Sequence, residues 1–235
     1  MSEHKIFPHG KLEALAPNLW QVRGSLPFPL RRNMTIYRLA DGTLLLYSVV
    51  ALDEEGMKAL EALGRPSVMV IPHAGHRMDA GFYRKRYPAL KVVCPAPAAK
   101  RTEEVCQKVD GTPEEILGPL GIKVHPVTGV KPKLGEFALE MDIPDGKALV
   151  TNDVMGGPTP GEKVSFTMRL IGTPAGATLG VARIFRMLMI KNKIEVRHWL
   201  NLMAEIPNLK IITVSHGPPV TSDCAAALRE AATTI

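Results

Sequence analysis

Apolar and polar positions alternate along the chain in short runs whose period changes repeatedly. Thr35–Leu39 and Thr43–Val50 are β-rich, and the Asp41-Gly42 pair between them favours a tight hairpin turn. Asp53 then precedes a helical pattern that runs to Leu63. Met57, Leu60 and Leu63 share a face, Glu54 and Glu55 fall in the first turn, and Gly64 stops it. Ser67–Ile71 is a strand of the buried, all-apolar kind. Tyr83–Tyr87 reads as a short basic turn of helix ended by Pro88. Lys91–Cys94 reads as a strand, and Ala98–Val109 as a helix with Pro97 suited to its start.

The second half repeats the style. Ile122–Val127 is a strand, and Glu136–Ile143 and Lys147–Thr151 form a hairpin across Pro144-Asp145-Gly146. Residues 156–176 are rich in Gly and Pro and read as a loop. Val181–Ile190 and Ile194–Ile206 are helices; in the second, Val196, Trp199, Leu200 and Met203 follow helical spacing. Leu209–Val214 is a further buried strand and Ser222–Ala232 a closing helix. The class is α/β. No linker is long enough to separate two parts, so residues 1–235 read as a single domain. Its halves are loosely alike, with no residue-level repeat.

Composition narrows the partners. With 235 residues, 46% hydrophobic and 22% charged, the chain can bury a sizeable core, which excludes a disordered protein. The excess of 29 Lys+Arg over 23 Asp+Glu gives +6. That balance admits a small anionic ligand without demanding nucleic acid, and the aromatic residues are scattered, so no nucleic-acid partner is expected. No window approaches the roughly 20 apolar residues of a membrane span. Glu3, His4 and Lys5 make the first ten residues unlike a signal peptide. Cys94, Cys106 and Cys224 are odd in number and widely spaced, with no CxxC. They suggest neither a zinc knuckle nor a cysteine nucleophile, and fit a reducing cytoplasm. Self-association is left open.

Three apolar strands run directly into residues able to ligate a metal. Val68–Ile71 leads into His73, His76 and Asp79; Ala148–Thr151 leads into Asn152-Asp153; Ile211–Val214 leads into Ser215-His216-Gly217. Sites in open α/β sheets form at the carboxyl ends of strands. Imidazole with carboxylate suits Zn, Fe or Mn. Each residue also has a plainer role. Asp79 equally suits a helix N-cap, and His73 or His76 alone suits a hydrogen-bonded loop histidine. Asp153 suits a buried carboxylate tying loops together, and His216 a strand-end hydrogen bond. Their joint occurrence is what favours ligation.

This order of a strand with a His-rich loop, a strand with Asp and a strand with His-Gly resembles the metallo-β-lactamase superfamily. Ala16-Pro17-Asn18-Leu19-Trp20 with the two strands that follow is similar to that family's N-terminal sheet. Residues 41–48 and Tyr87-Pro88-Ala89-Leu90 resemble a divergent branch of it, of unknown function. The resemblance covers nearly the whole chain. It implies a four-layered αββα sandwich with a metal site at one edge of two sheets, built from His73, His76, Asp79, Asp153 and His216.

The chain departs from the family pattern in ways that matter. The first loop reads His73-xx-His76-xx-Asp79 rather than HxHxDH, and Ala80 stands where a histidine would follow. Near Thr128-Gly129-Val130-Lys131-Pro132, which resembles the family's GHxP turn, Val130 takes the histidine's place. Thr128 is a poor zinc ligand, Lys131 and Lys133 are cations, and His125 lies five residues upstream as a distant substitute. The resemblance therefore implies a metal-dependent hydrolase of a small, anionic or carbonyl substrate. One ion at most is expected, Zn or else Fe or Mn, with Asp79 as ligand or general base. Two other readings stand beside it: a fold relative that has lost its metal and binds a ligand, and a metal-dependent oxidoreductase. Arg84-Lys85-Arg86 reads as a solvated helix face. Arg183, Arg186, Lys191, Lys193 and Arg197 read as solvated cations flanking a core-facing helix pair.

Overall fold

A computed structural model describes residues 4–28, 30–157, 172 and 178–235. The chain divides into two compact units, Met1–Gly121 and Ile122–Ile235. The first carries a six-stranded sheet in sequence order: β1 (Glu13–Ala16), β2 (Leu19–Ser25), β3 (Arg31–Arg38), β4 (Leu44–Tyr47), β5 (Pro66–Val70) and β6 (Lys91–Val93). The first four strands are antiparallel neighbours, while β4, β5 and β6 run parallel. The change falls where α1 (Glu54–Leu63) and then α2 (Ala80–Arg86) enter the chain, because a parallel pair needs a crossover.

The expected β3–β4 hairpin forms. Thr43 donates to Asp41 Oδ1 from its backbone N at 2.9 Å and its hydroxyl at 2.7 Å, which closes the turn. Helix α1 has the expected bounds, with Asp53 Oδ1 accepting from Gly56 N at 2.8 Å as its N-cap. Strand β4 is buried at every position, as its unbroken apolar run implies. Met57 and Leu60 of α1 and Tyr83 of α2 join Met34, Ile36, Leu44, Leu46 and Met69 in one core. The basic run of α2 is less solvated than expected. Arg86 reaches Glu54 at 2.8 Å and Glu61 at 3.2 Å, and Arg84 donates to the Pro88 and Leu90 carbonyls, so the run ties α2 to α1 and to the following loop.

Helix α3 (Ala99–Cys106) is shorter than its periodicity suggests, because Gln107 turns to a φ of 68° and ends it. Helix α4 (Pro113–Leu117) begins with a Thr112–Glu115 capping box and Pro113 in its first turn.

The second unit carries a four-stranded sheet, in the order β10-β9-β8-β7, of β7 (Lys123–Pro126), β8 (Phe137–Ile143), β9 (Gly146–Val150) and β10 (Leu209–Thr213). Three strands form an antiparallel meander and β10 joins β9 in parallel. Each unit is thus a meander followed by a parallel addition, the physical content of the loose likeness between halves.

Among the described residues, α5 (Arg183–Leu188) and α6 (Lys193–Ala204) precede β10, and α7 (Cys224–Thr233) follows it. Asn192 caps α6 by accepting from Ile194 N and Glu195 N. Val196, Trp199, Leu200 and Met203 bury against Leu228 and Ala231 of α7 in the second core. Arg186 and Arg197 are not free cations but donate to carbonyls of the last residues, including Thr234 and Ile235. Most of the loop expected over 156–176 lies outside the described residues. Among those described, no helix is long and apolar enough to cross a membrane.

Candidate metal centre

In the first unit the chain leaves β5 through Ile71-Pro72 and enters a single 3₁₀ turn at Ala74–His76, with His73 just before it. His76 N donates to His73 O at 2.9 Å, and three residues per turn bring positions i and i+3 onto one face. The two imidazoles stand edge to face with centroids 4.7 Å apart.

Their second nitrogens differ in use. His76 Nδ1 lies 2.8 Å from Ser48 Oγ. With Nδ1–H donating to that hydroxyl, Nε2 carries a lone pair for a metal. His73 Nδ1 instead accepts from Gly75 N at 2.9 Å, which places the neutral ring's hydrogen on Nε2. His76 can offer Nε2 to a metal while keeping its Ser48 bond, in the tautomer in which it donates to that hydroxyl, whereas His73 must release Gly75 to become a ligand.

Ser48 was not among the residues singled out in the sequence. It directly follows β4, is buried, and holds a φ of 57°, where a non-glycine residue is strained. Its backbone N is fixed by Val70 O at 3.0 Å, which carries the conformation across to β5. A polar residue ending an apolar run was the available signal.

Asp79 occupies a different setting from the one expected. It is 2% exposed and makes no side-chain cap bond to α2. Oδ2 accepts from the Arg32 guanidinium and from Ala51 N, the latter at 2.7 Å, and Oδ1 meets His4 Nε2 at 2.9 Å. Both oxygens are engaged by donors inside the first unit. In place of the expected cap bond, the carboxylate is held in a buried ion pair with Arg32. Arg32 lies in the interior of the sheet, only 4% exposed, and also donates to Val49 O.

In the second unit Asp153 and His216 follow neighbouring parallel strands, and Asp153 Oδ1 lies 3.4 Å from His216 Nε2. Both are part-exposed, at 27% and 24% of their side chains, as an accessible site requires. Beneath them the loops are tied by buried polar groups. Ser215 Oγ donates to Asn152 Oδ1 at 2.6 Å, and Glu136 Oε1 accepts from Val154 N at 3.0 Å. Gly157 N donates to His216 O at 3.1 Å. Gly217 has a φ of 133°, and a Cβ there would sit 2.6 Å from Gly157 O, so only glycine lets the two loops meet this closely. Asn152, Ser215 and Glu136 are thus the positioning residues that the sequence did not single out.

The Val130 turn is built for packing. Val130 bridges to Ile190 and is packed against the second core. Gly129, at a φ of 77°, accepts from Lys191 N and Asn192 N, and a Cβ would meet Asn192 O at 2.5 Å. His125 is no replacement ligand, since its Nε2 pairs with Glu140 Oε2 at 2.8 Å across β7 and β8. Burial pushes the Glu140 carboxyl up, but the His125 hydrogen bond and the charges of Lys123, His125 and Lys147 outweigh it and hold it below its ordinary value. All three cysteines are buried and free, and burial raises each thiol, Cys106 and Cys224 to about 11. A thiol so held is a poor nucleophile.

Two sheets with interleaved helices, and ligand-type residues at their strand ends, define a class. The chain has the metallo-β-lactamase fold. It aligns with the metallo-β-lactamase FIM-1 from Pseudomonas aeruginosa in its mono-zinc form over 97% of this chain and 96% of that one, at 11% identity and a TM-score of 0.59. The metallo-β-lactamase DIM-1 exposed to ceftazidime aligns over 98% and 99%, at 13% identity and a TM-score of 0.61. A metallo-β-lactamase from Erythrobacter litoralis with β-mercaptoethanol in its active site aligns over 95% and 96%, at 13% identity and 0.59. No family model and no curated protein sequence matches the chain. Likeness at this identity fixes the fold and leaves the chemistry to the residues.

Proposed function

We propose that this protein is a metal-dependent hydrolase that works with one ion, for which Asp153 and His216 are the candidate ligands in the second unit; His73 and His76 are a candidate pair in the first. These side chains offer imidazole and carboxylate donors of the kind that Zn, Fe and Mn accept. The observation that carries the reading is the pairing of Asp153 with His216 at 3.4 Å, part-exposed above a loop framework fixed by buried hydrogen bonds. Such an ion, when bound, polarises a carbonyl or phosphoryl oxygen and lowers the pKa of water.

The chain's own residues supply the rest. Ser48 holds the His76 ring through Nδ1, Asn152 and Ser215 hold the two loops in register, and Glu136 anchors the backbone after Asp153. Asp79 balances Arg32 and serves as neither base nor ligand, because both its oxygens already accept donors. We take the substrate to be small, and carbonyl-bearing or anionic. The net charge of +6 and the cations Lys131 and Lys133 beside the Val130 turn favour the latter.

The test is a panel of chromogenic esters, thioesters, lactones, β-lactams and phosphate esters. Hydrolysis of at least one class should vanish on chelation, return with metal, and be absent from Asp153→Ala. Turnover that survives both chelation and Asp153→Ala would refute the metal-dependent reading. A chain that takes up no metal would favour the ligand-binding alternative.

A further inference from the structure

Exposed apolar side chains are ordinary when scattered and informative when they gather. Among the described residues ten large apolar side chains stand exposed, and four of them, Ile184, Met187, Leu188 and Ile194, fall together on α5 and the start of α6 in the second unit. Met187 and Ile194 are 75% and 74% exposed. Helix α5 already meets the core on its other side, where Phe185 is buried and Met189 packs against the same cluster. Ile184, Met187 and Leu188 follow the i, i+3, i+4 spacing of one helix face, so they stand out together. Ile194 lies in the first turn of α6, and the connection between the helices is fixed. Lys191 N and Asn192 N donate to Gly129 O at 2.8 and 2.9 Å, and Lys131 N donates to Met189 O at 2.9 Å. The corner therefore has little freedom to lose when it meets a partner.

The charge around this corner has one sign. From Val181 to Ile194 the sequence holds Arg183, Arg186, Lys191 and Lys193 and no acid. Arg186 is turned to the Thr234 carbonyl, whereas Lys191 and Lys193 are exposed. Lys131 and Lys133 stand on the turn that is tied to the corner. A second copy of the chain would set these cations against one another. A folded protein partner would need a pocket for each side chain that stands three-quarters clear of the surface. An anionic lipid layer needs none, because it presents phosphates to the lysines and acyl chains to the apolar residues.

We propose that the corner of α5 and α6 is a peripheral docking surface for an anionic lipid bilayer, with Met187 and Ile194 entering the headgroup layer and Lys191 and Lys193 meeting its phosphates. A small apolar corner with a few cations gives reversible attachment rather than anchoring. The proposal draws on none of the candidate metal ligands.

The experiment is co-sedimentation of the full chain with vesicles of phosphatidylcholine alone and with about one-third phosphatidylglycerol. The chain should bind the anionic vesicles, ignore the neutral ones, and come off as salt rises from about 0.1 M to about 0.5 M. Lys191→Gln/Lys193→Gln should weaken binding by about fivefold per lysine. Lys85→Gln/Lys100→Gln removes the same charge from exposed positions of the first unit and should leave binding within about twofold. Met187→Ser/Ile194→Ser keeps every charge and should weaken binding by about tenfold. Circular dichroism checks that each variant is folded. Absence of binding to the anionic vesicles, an equal loss in the two lysine pairs, or full binding by Met187→Ser/Ile194→Ser would overturn the proposal. So would a dimer in sedimentation velocity that Met187→Ser/Ile194→Ser dissociates, which would assign the face to a second copy of the chain.

Discussion

Ser48 illustrates how one small residue can govern a site. Its left-handed backbone and the Val70 carbonyl aim its hydroxyl at His76 Nδ1. Loss of a hydrogen bond to the outer nitrogen of a ligand histidine typically costs about 10–100-fold in metal affinity. Ser48→Ala should fall in that range by competition titration with a chromogenic chelator, with the fold intact by circular dichroism. An unchanged affinity would remove Ser48 from the site. The same reasoning ranks the two histidines: His76→Ala should weaken binding more than His73→Ala, since His73 must first release Gly75 N. Asp79 makes a different kind of prediction. Breaking a buried ion pair from one side leaves an uncompensated charge, at a cost of about 3–5 kcal/mol. Asp79→Asn should lose stability of that order in urea denaturation, and a loss below about 1 kcal/mol, typical of an exposed pair, would contradict the buried reading.

At the scale of elements, much was legible because local chemistry and burial agreed. Asp53, Glu54, Glu55 and Gly64 mark both ends of α1, and the structure places the helix within them. Asp53→Ala should cost about 1 kcal/mol in thermal or urea unfolding, the usual worth of such a cap. Strands β4, β5, β9 and β10 were readable as apolar runs of strand length. Strand β1 was not, because an edge strand of exposed and half-buried residues carries little pattern. Helix α4 was missed although Thr112-Pro113-Glu114-Glu115 spells out its start; its single turn is too short to show a period.

The site divides in the same way. Asp153 and His216 were readable because each follows an apolar run directly. Ser48 and Glu136 act through backbone geometry and contacts distant in sequence, and the ion pair of Asp79 was not readable because its partner Arg32 lies 47 residues away. The pair of β7 and β8 carries a pH prediction. Glu140 titrates below its ordinary value of 4.5 in the folded chain, so its stabilising contribution is present above that pH. The contribution is lost as pH falls through the lowered folded value. Glu140→Gln should therefore be less stable than wild type at about pH 7, with the difference closing as pH falls below the ordinary carboxylate range. A gap that stays constant over that range would assign the effect to packing.

For the molecule as a whole, the two halves share a plan in which a meander is followed by parallel strands, and the candidate ligands stand at the ends of those parallel strands. A plan of this kind lets a chain at 11% identity keep the fold of FIM-1. Packing needs only apolar residues of roughly the right size, whereas a metal site needs particular donors at particular atoms. The most direct measurement is the metal content of chain purified without chelator and of its Asp153→Ala and His216→Ala variants, by plasma emission spectrometry. The account predicts one ion per wild-type chain and a loss of most of it in either variant. A full complement of metal retained by both variants, or two ions in the wild-type chain, would contradict it.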